Sequence, residues 1–386
     1  MPAQNSEAYF DSELKEWSDR KLNLLQKYLD PFVKILGSTY AGNDVYYVDG
    51  FAGAGIYGDG AKGSPLRAAE LAQEYEQAGK QYRLKCINVE ANPTIFANLQ
   101  TNTRDFASVT NMAGEFSQVV DTVLAQIGSN PALFFLDPFG IKGIDWETVA
   151  KIAARRSPTD LWIRFDYQIA FRLAGFYGKE DARAESNLDL LSKTYGISDR
   201  NFLYQSLQGS NSVQENKQNA VALYAAQLER VYRQKRRFGF SAPYLIRSLE
   251  GQEKYFLVFA TGHPKGATLA SETVCGIEET YEREVEEYNV SATSQLTFDL
   301  GLKPTADQIF HSKVSRLKES IWLACRGEIS ISRIEIYVRI LKDWFGKLTS
   351  SHVNHALREL KDKDDGRIVD ASGRLSADST LFMFRS

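Results

Sequence analysis

Three acidic residues stand where short apolar runs break into turns, and they are the first positions in this chain that could do chemistry. Asp49 opens the stretch Asp49-Gly50-Phe51-Ala52-Gly53-Ala54-Gly55 directly after the run VYYV. Closely spaced glycines let a backbone approach a ligand without Cβ obstruction and accept turns that larger residues resist. The glycines fall at 50, 53 and 55 with an acid just ahead, so this is not the dinucleotide GxGxxG fingerprint. An aspartate here can hold the methionine ammonium of a nucleoside-sulfonium cofactor, directly or through water, with Phe51, Ala52, Gly53 and Gly55 lining the same turn. Glu90, followed by Ala91, closes the run YRLKCINVE, where an acid can accept both ribose hydroxyl hydrogens. The segment NMAGE, 111–115, with Gly114 in it, follows a third short run and is placed to surround an adenine.

Asp137 ends LFFLD and leads into Pro138 and Phe139. Its carboxylate and the Pro138 carbonyl can accept hydrogen bonds from an exocyclic amine. That turns the nitrogen lone pair toward a methyl sulfonium, and Phe139 can stack against the base. Asp137, Pro138 and Phe139 are therefore the candidate catalytic positions. The alternative is a strand-to-turn transition with Pro138 as punctuation and Phe139 as core. Arg164 and Asp166, at the end of WIRFD, either border the substrate side of the pocket or form a structural ion pair.

These residues need a scaffold that brings strand ends together. The segment SDRKLNLLQKYLDPFVKILG, 18–37, spaces Leu22, Leu25, Tyr28, Leu29 and Phe32 as an amphipathic helix, with Gly37 as a stop and Pro31 as a site of kinking or division. Strands are predicted at 45–49, 82–90, 107–111, 132–137 and 159–166, separated by helical stretches from Pro65, 91–102, 116–128 and 142–156. Strands alternating with helices favour a mainly parallel sheet covered on both faces. Asp49, Glu90 and Asp137 would then share the carboxyl edge of one sheet, where open α/β folds bind ligands. Residues 170–245 read as a helical insertion, and 253–262 as a late strand completing the sheet. The insertion carries RVYRQKRR at 230–237, five basic residues in eight, which is either a phosphate-contacting strip or solvated helix surface.

The last 76 residues hold 14 basic and 10 acidic residues, net +4, so residues 1–310 sum to −7. In this tail a cap-rich start precedes an amphipathic helix on Val353, Ala356, Leu357 and Leu360, and DDGRIVD then enters a strand. The order resembles a winged helix-turn-helix with 350–361 as the recognition-like element, serving nucleic-acid contact, protein docking or a structural role. His352 and His355 sit i,i+3 on that helix without an acid or cysteine at ligand spacing, so they read as surface polar residues and no metal is expected.

Over 386 residues, 43% hydrophobic and 25% charged content argues against wholesale disorder, and a net charge of −3 gives no global polycationic character. Any nucleic-acid partner would need a local basic face. Three scattered cysteines, Cys86, Cys275 and Cys325, cannot form a fully paired disulfide framework and read as reduced structural thiols. Neither a membrane span nor a secretory signal is supported, so a cytoplasmic location is expected.

The whole chain resembles the three-Cys-motif partner proteins, a bacterial family related to class I S-adenosylmethionine-dependent methyltransferases. The likeness rests on WSDRKLNLLQKYL at 17–29, VDGFAGAG, Lys62-Gly63-Ser64-Pro65, Glu90 with Asn92, FFLDPFGIKG and Trp146. It implies an α/β fold with a Rossmann-like class I methyltransferase sheet, a helical insertion and a C-terminal winged-helix-like domain. The corresponding divisions are an N-terminal helical segment, 1–44, a methyltransferase-like domain, 45–310, and a winged-helix-like domain, 311–386. It also implies S-adenosyl-L-methionine as cofactor and a partner, encoded alongside, that carries the cysteine motif. The first 140 residues are similar in layout to the family that methylates adenine N6 in large-subunit ribosomal RNA. By that resemblance Lys21 lies near the cofactor or target entrance, Asp49 and Gly53 hold the cofactor, and Asp137 with Pro138 positions the target amine. Phe139 and Gly140 depart from that family's DPPY tetrad. The expected activity is methyl transfer to RNA or DNA, at an adenine exocyclic amine. The alternatives are a methyltransferase for protein or small molecules and a catalytically inactive cofactor-binding regulator.

Overall fold

The computed structural model describes residues 13–39, 44–138, 140, 143–292 and 305–385. The chain divides into two compact units, Met1–His263 and Pro264–Ser386. The division falls well ahead of the 310/311 boundary suggested by charge, because helix Pro264–Ala292 packs on helix Arg333–Trp344 of the second unit.

In the first unit, β1 (Asp44–Asp49), β2 (Arg83–Glu90), β3 (Val109–Ala113), β4 (Ala132–Leu136) and β5 (Thr159–Phe165) are parallel, and each is linked to the next through a helix. β6 (Phe240–Arg247) and β7 (Glu253–Thr261) complete a seven-stranded sheet in the order β3-β2-β1-β4-β5-β7-β6, with β7 antiparallel to both neighbours. This is the Rossmann-like sheet implied by the resemblance. β4 reads ALFFL and is buried at every residue, as a central parallel strand covered on both faces must be.

Helix Glu16–Thr39 covers one face. Tyr28 packs edge-on against Trp162 of β5 (5.8 Å) and Phe259 of β7 (5.4 Å), and its hydroxyl donates to the buried Asp160 at 2.6 Å. The helix runs through Pro31 without division. The carbonyl that proline leaves without an amide donor belongs to Lys27, on the exposed side where water can serve it, while Tyr28, Phe32 and Val33 anchor the buried side. On the other face Phe165 of β5 stacks on Tyr224 (4.8 Å) and meets Tyr195 edge-on (5.8 Å).

The insertion after β5 comprises helices Tyr167–Ala174, Ala182–Tyr195, Arg200–Gln208 and Val213–Lys235, so it ends near 235 rather than 245. The difference is β6, whose residues alternate buried and half-buried. Its Pro243 is tolerated because β6 is an edge strand, where one side needs no amide donor. β3 lies two residues later than expected, which places Asn111 inside the strand. There its amide donates to Thr103 (2.7 Å) and its oxygen accepts from Asn88 (3.0 Å). Only Gly114 and Glu115 of NMAGE extend past the strand end.

The second unit places helix Ala306–Cys325, β8 (Ile331–Ser332), helix Arg333–Trp344, helix Ser350–Lys361, β9 (Ile368–Ser372) and β10 (Leu381–Phe384) in chain order, with an antiparallel sheet β8-β10-β9. His352 is buried, which corrects its reading as a surface residue. Its ring stacks on Phe310 at 4.5 Å and its Nδ1 accepts from the Thr349 amide, closing the start of helix Ser350–Lys361. Burial, with Lys313 nearby, holds its imidazole below the usual histidine range, matching that acceptor role.

Candidate functional site

The parallel order reverses between β1 and β4, and the ligand crevice of such a sheet opens beyond the strand ends at that point. The glycine loop crosses this edge. Gly50 donates to the Phe135 carbonyl (3.0 Å), and Ala52 to the Val89 carbonyl (3.0 Å), which ties the loop to β4 and β2 at once. Gly53 and Gly55 have φ of 65° and 80°, the left-handed region that side chains resist. The Gly55 carbonyl accepts from the Gly63 amide at 2.8 Å, and a Cβ at Gly63 would stand only 3.2 Å from that oxygen. The KGSP turn is therefore folded onto the glycine loop, with Pro65 in the first turn of helix Ser64–Gln77.

Glu90 fixes the loop from the side. Its Oε2 accepts from the Gly53 amide (3.0 Å), its Oε1 from the Asn92 amide (2.7 Å), and its own carbonyl from Gly114 (3.0 Å). Burial raises the Glu90 carboxyl, against the pull of the Asn92 and Gly53 amides. Each carboxylate oxygen has a second lone pair, so two ribose hydroxyls could still be accepted. Ala91 beside it is exposed, while Phe51 is half-buried with its ring 6.2 Å from Phe116.

Asp49 is fully buried. Its Oδ2 accepts from the Tyr47 hydroxyl at 3.0 Å and its Oδ1 from the Phe51 amide at 3.2 Å. Burial pushes this carboxyl up to about 6, against the hydrogen bonds from Ser64, Phe51 and Tyr47. Here Asp49 shapes the turn from beneath, and direct contact with a ligand ammonium would require the loop to part.

Asp137 lies one residue past β4, and its side chain is only 16% exposed. The Lys21 ammonium, itself buried on helix Glu16–Thr39, pairs with Oδ2 and lies 5.7 Å from the centre of the Phe135 ring. Arg164 of β5 approaches Oδ1, with Nη1 at 3.5 Å, and its guanidinium carbon lies 4.3 Å from the centre of the Tyr255 ring of β7. Burial alone would raise the Asp137 carboxyl, but Lys21 and Arg164 together hold it below the usual range. At 3.5 Å the Arg164 contact is an ion pair without hydrogen-bond geometry, and among the described residues Asp137 Oδ1 accepts no hydrogen bond. Oδ1 therefore keeps acceptor capacity for a ligand's hydrogen.

The structure thus gathers Lys21, Gly53, Gly55, Glu90, Gly114, Asp137 and Pro138 at one edge. Phe139 lies outside the described residues. Asp166 instead caps helix Tyr167–Ala174, accepting from the Ile169 amide at 3.2 Å. The sequence reading missed Tyr255 and the cluster at the start of β7, where Glu253 accepts from Lys217 (2.6 Å) and from the Tyr167 hydroxyl (3.0 Å). Their only local signal was the aromatic run of a strand, and their partners lie 36 and 86 residues away. Of the basic run at 230–237, Arg236 reaches the backbone carbonyls of Arg155 and Ser157, and Arg233 pairs with Glu229. The three cysteines are buried thiols, no set of described residues could hold a metal ion, and no described helix is long and apolar enough to cross a membrane.

No protein-family model and no curated protein matches the chain. Among solved structures it is similar to protein LPL1258 from Legionella pneumophila, at 12% identity and TM-score 0.37 over 67% of this chain and 91% of that one. It is also similar to PKMT2 from Rickettsia typhi (10% identity, TM-score 0.31, 95% and 76%) and to the complex of PKMT2 with AdoHcy (9%, 0.27, 92% and 94%). At these scores the likenesses assign no activity. The fold rests on the strand order and the site on its own geometry.

Proposed function

We propose that this chain is an S-adenosyl-L-methionine-dependent methyltransferase that acts on nucleic acid, at an exocyclic adenine amine. The observation that carries the reading is Asp137 Oδ1, an ionised oxygen that accepts no hydrogen bond among the described residues, at the switch point beside a glycine loop held by a ribose-competent Glu90. Bound at that loop, the cofactor supplies an electrophilic methyl group. The left-handed turns at Gly53 and Gly55 bring the backbone close to it, Glu90 takes the ribose hydroxyls, and Gly114 leaves room at the adenine end. Asp137 Oδ1 and the Pro138 carbonyl accept the two hydrogens of the target amine. The nitrogen lone pair is thereby aimed, and Asp137 is held as an anion that can only accept.

The net +4 tail, with helix Ser350–Lys361 and the β9–β10 hairpin in winged-helix order, supports docking of RNA or DNA, and a three-cysteine-motif protein remains the partner suggested by resemblance. Calorimetric titration with S-adenosylmethionine, run beside Glu90→Ala, tests the cofactor. Base-resolved mapping of labelled methyl in RNA and DNA, run beside Asp137→Ala, tests the acceptor. Absence of binding by folded wild-type protein overturns the reading. Transfer to protein, or undiminished turnover by Asp137→Ala, overturns the acceptor assignment.

A further inference from the structure

Asp137 is the proposed contact to the target amine, and two cations from different elements address its two oxygens. Lys21, from helix Glu16–Thr39, occupies Oδ2. Arg164 faces Oδ1, the oxygen that accepts no hydrogen bond among the described residues. The Asp49 carboxyl at the end of β1 also couples to this group, a like charge that works against ionisation. The Arg164 guanidinium is held in turn by Tyr255, which is 3% exposed and sits on the strand that pairs with β5 antiparallel. β5 and β7 thus build a two-residue support behind the open oxygen. A planar guanidinium braced by a ring face keeps its orientation, which a flexible ammonium does not.

We propose that Arg164, braced by Tyr255, is a positioning residue that keeps Asp137 anionic and Oδ1 turned toward the incoming amine. This rests on the methyl-transfer reading above. At 3.5 Å the guanidinium supplies charge and direction without consuming the acceptor, so the amine hydrogen can still bond to Oδ1. In Arg164→Met only Lys21 opposes the burial of Asp137, and its carboxyl should take up a proton at a higher pH than in wild type. A protonated Asp137 offers one acceptor fewer and cannot hold both the Lys21 ammonium and the amine.

The test measures methyl transfer to the mapped acceptor near pH 5.5 and pH 7.5 in wild type, Arg164→Met, Arg164→Lys and Tyr255→Leu, with S-adenosylmethionine affinity measured in parallel. Asp49, at about 6, titrates between the two values in every form of the protein, so each profile is read against wild type. Arg164→Met should lose roughly threefold more than wild type at the lower pH relative to the higher, with cofactor affinity unchanged. Arg164→Lys should restore the wild-type profile, and Tyr255→Leu should lower kcat at both values while leaving the profile as in wild type. A uniform loss in Arg164→Met with no change of pH profile would overturn the inference and leave the methyltransferase reading standing. A wild-type protein without transfer to any acceptor would remove both. If Arg164→Met does not fold, the Arg164→Lys and Tyr255→Leu pair still decides, because equal kcat in wild type and both variants would overturn it.

Discussion

Replacing Asp160 by asparagine should change how the stability of the first unit depends on pH, and the size of the change follows from the geometry. Asp160 is the second residue of β5, at the end of the sheet away from the glycine loop. It accepts from Tyr28 at 2.6 Å and from Thr261 at 2.5 Å, and Arg236 acts on it through its charge. Burial pushes its carboxyl from 3.8 up to about 6, against those hydrogen bonds. A carboxyl raised in the folded state favours folding when protonated, so its contribution is fully present below the unfolded value and is lost as pH rises through about 6. The shift corresponds to about 3 kcal/mol in all, of which about 2 kcal/mol disappears between about pH 4.5 and 7.5. The stability difference between wild type and Asp160→Asn should therefore move by about 2 kcal/mol across that interval, with the variant gaining relative to wild type at the higher pH. Any hydrogen bond weakened by the amide shifts both ends alike and cancels. Urea unfolding followed by tryptophan fluorescence, to which Trp162 packed against Tyr28 contributes, provides the measurement. Parallel wild-type and variant profiles would refute the view that burial outweighs the partners of this carboxyl. The result bears on the site as well, since Tyr28 and Lys21 share the helix that Asp160 holds to the sheet.

The ion pair at the site has the opposite dependence. Lys21→Met should cost on the order of 3 kcal/mol at neutral pH, less at acid pH where Asp137 can protonate, and Lys21→Met with Asp137→Asn should recover much of it in the same unfolding assay. Gly55→Ala forces a side chain into φ near 80° and should lower stability by about 1–2 kcal/mol, read as a lower urea midpoint. Glu90→Gln exchanges one amide-accepting oxygen for a donor group and should weaken S-adenosylmethionine binding by about tenfold or more in calorimetry. In the second unit His352→Ala removes the helix cap and the Phe310 stack, and should lower that unit's stability by roughly 2 kcal/mol while cofactor affinity is unchanged.

The glycine loop, the Glu90 turn and the DP step were legible because each is a local signal: a run of β-formers followed by residues suited to left-handed or proline-compatible turns. Helix Glu16–Thr39 was legible from its period, and Pro31 misled only because the exposed side of a packed helix can spare one donor. β6 was not legible. Its alternation carries a proline, and whether a proline is admissible there depends on the strand lying at the sheet edge, which no local window contains. The basic run at 230–237 could be read only as a surface strip, because the backbone carbonyls that Arg236 serves belong to residues 155 and 157.

By itself the sequence determined the alternation of strands and helices, the loop that can approach a ligand, and the presence of acids at three strand ends, since all of these depend on residues near one another in the chain. Only the tertiary structure decided what those acids are. Asp49 became a buried support for the turn, Glu90 a clamp on the loop, and Asp137 an anion between Lys21 and Arg164, 116 residues behind it and 27 ahead. A carboxyl group has one intrinsic acidity in water. Its role here comes from burial and from which distant cations and amides the sheet brings within a few ångströms.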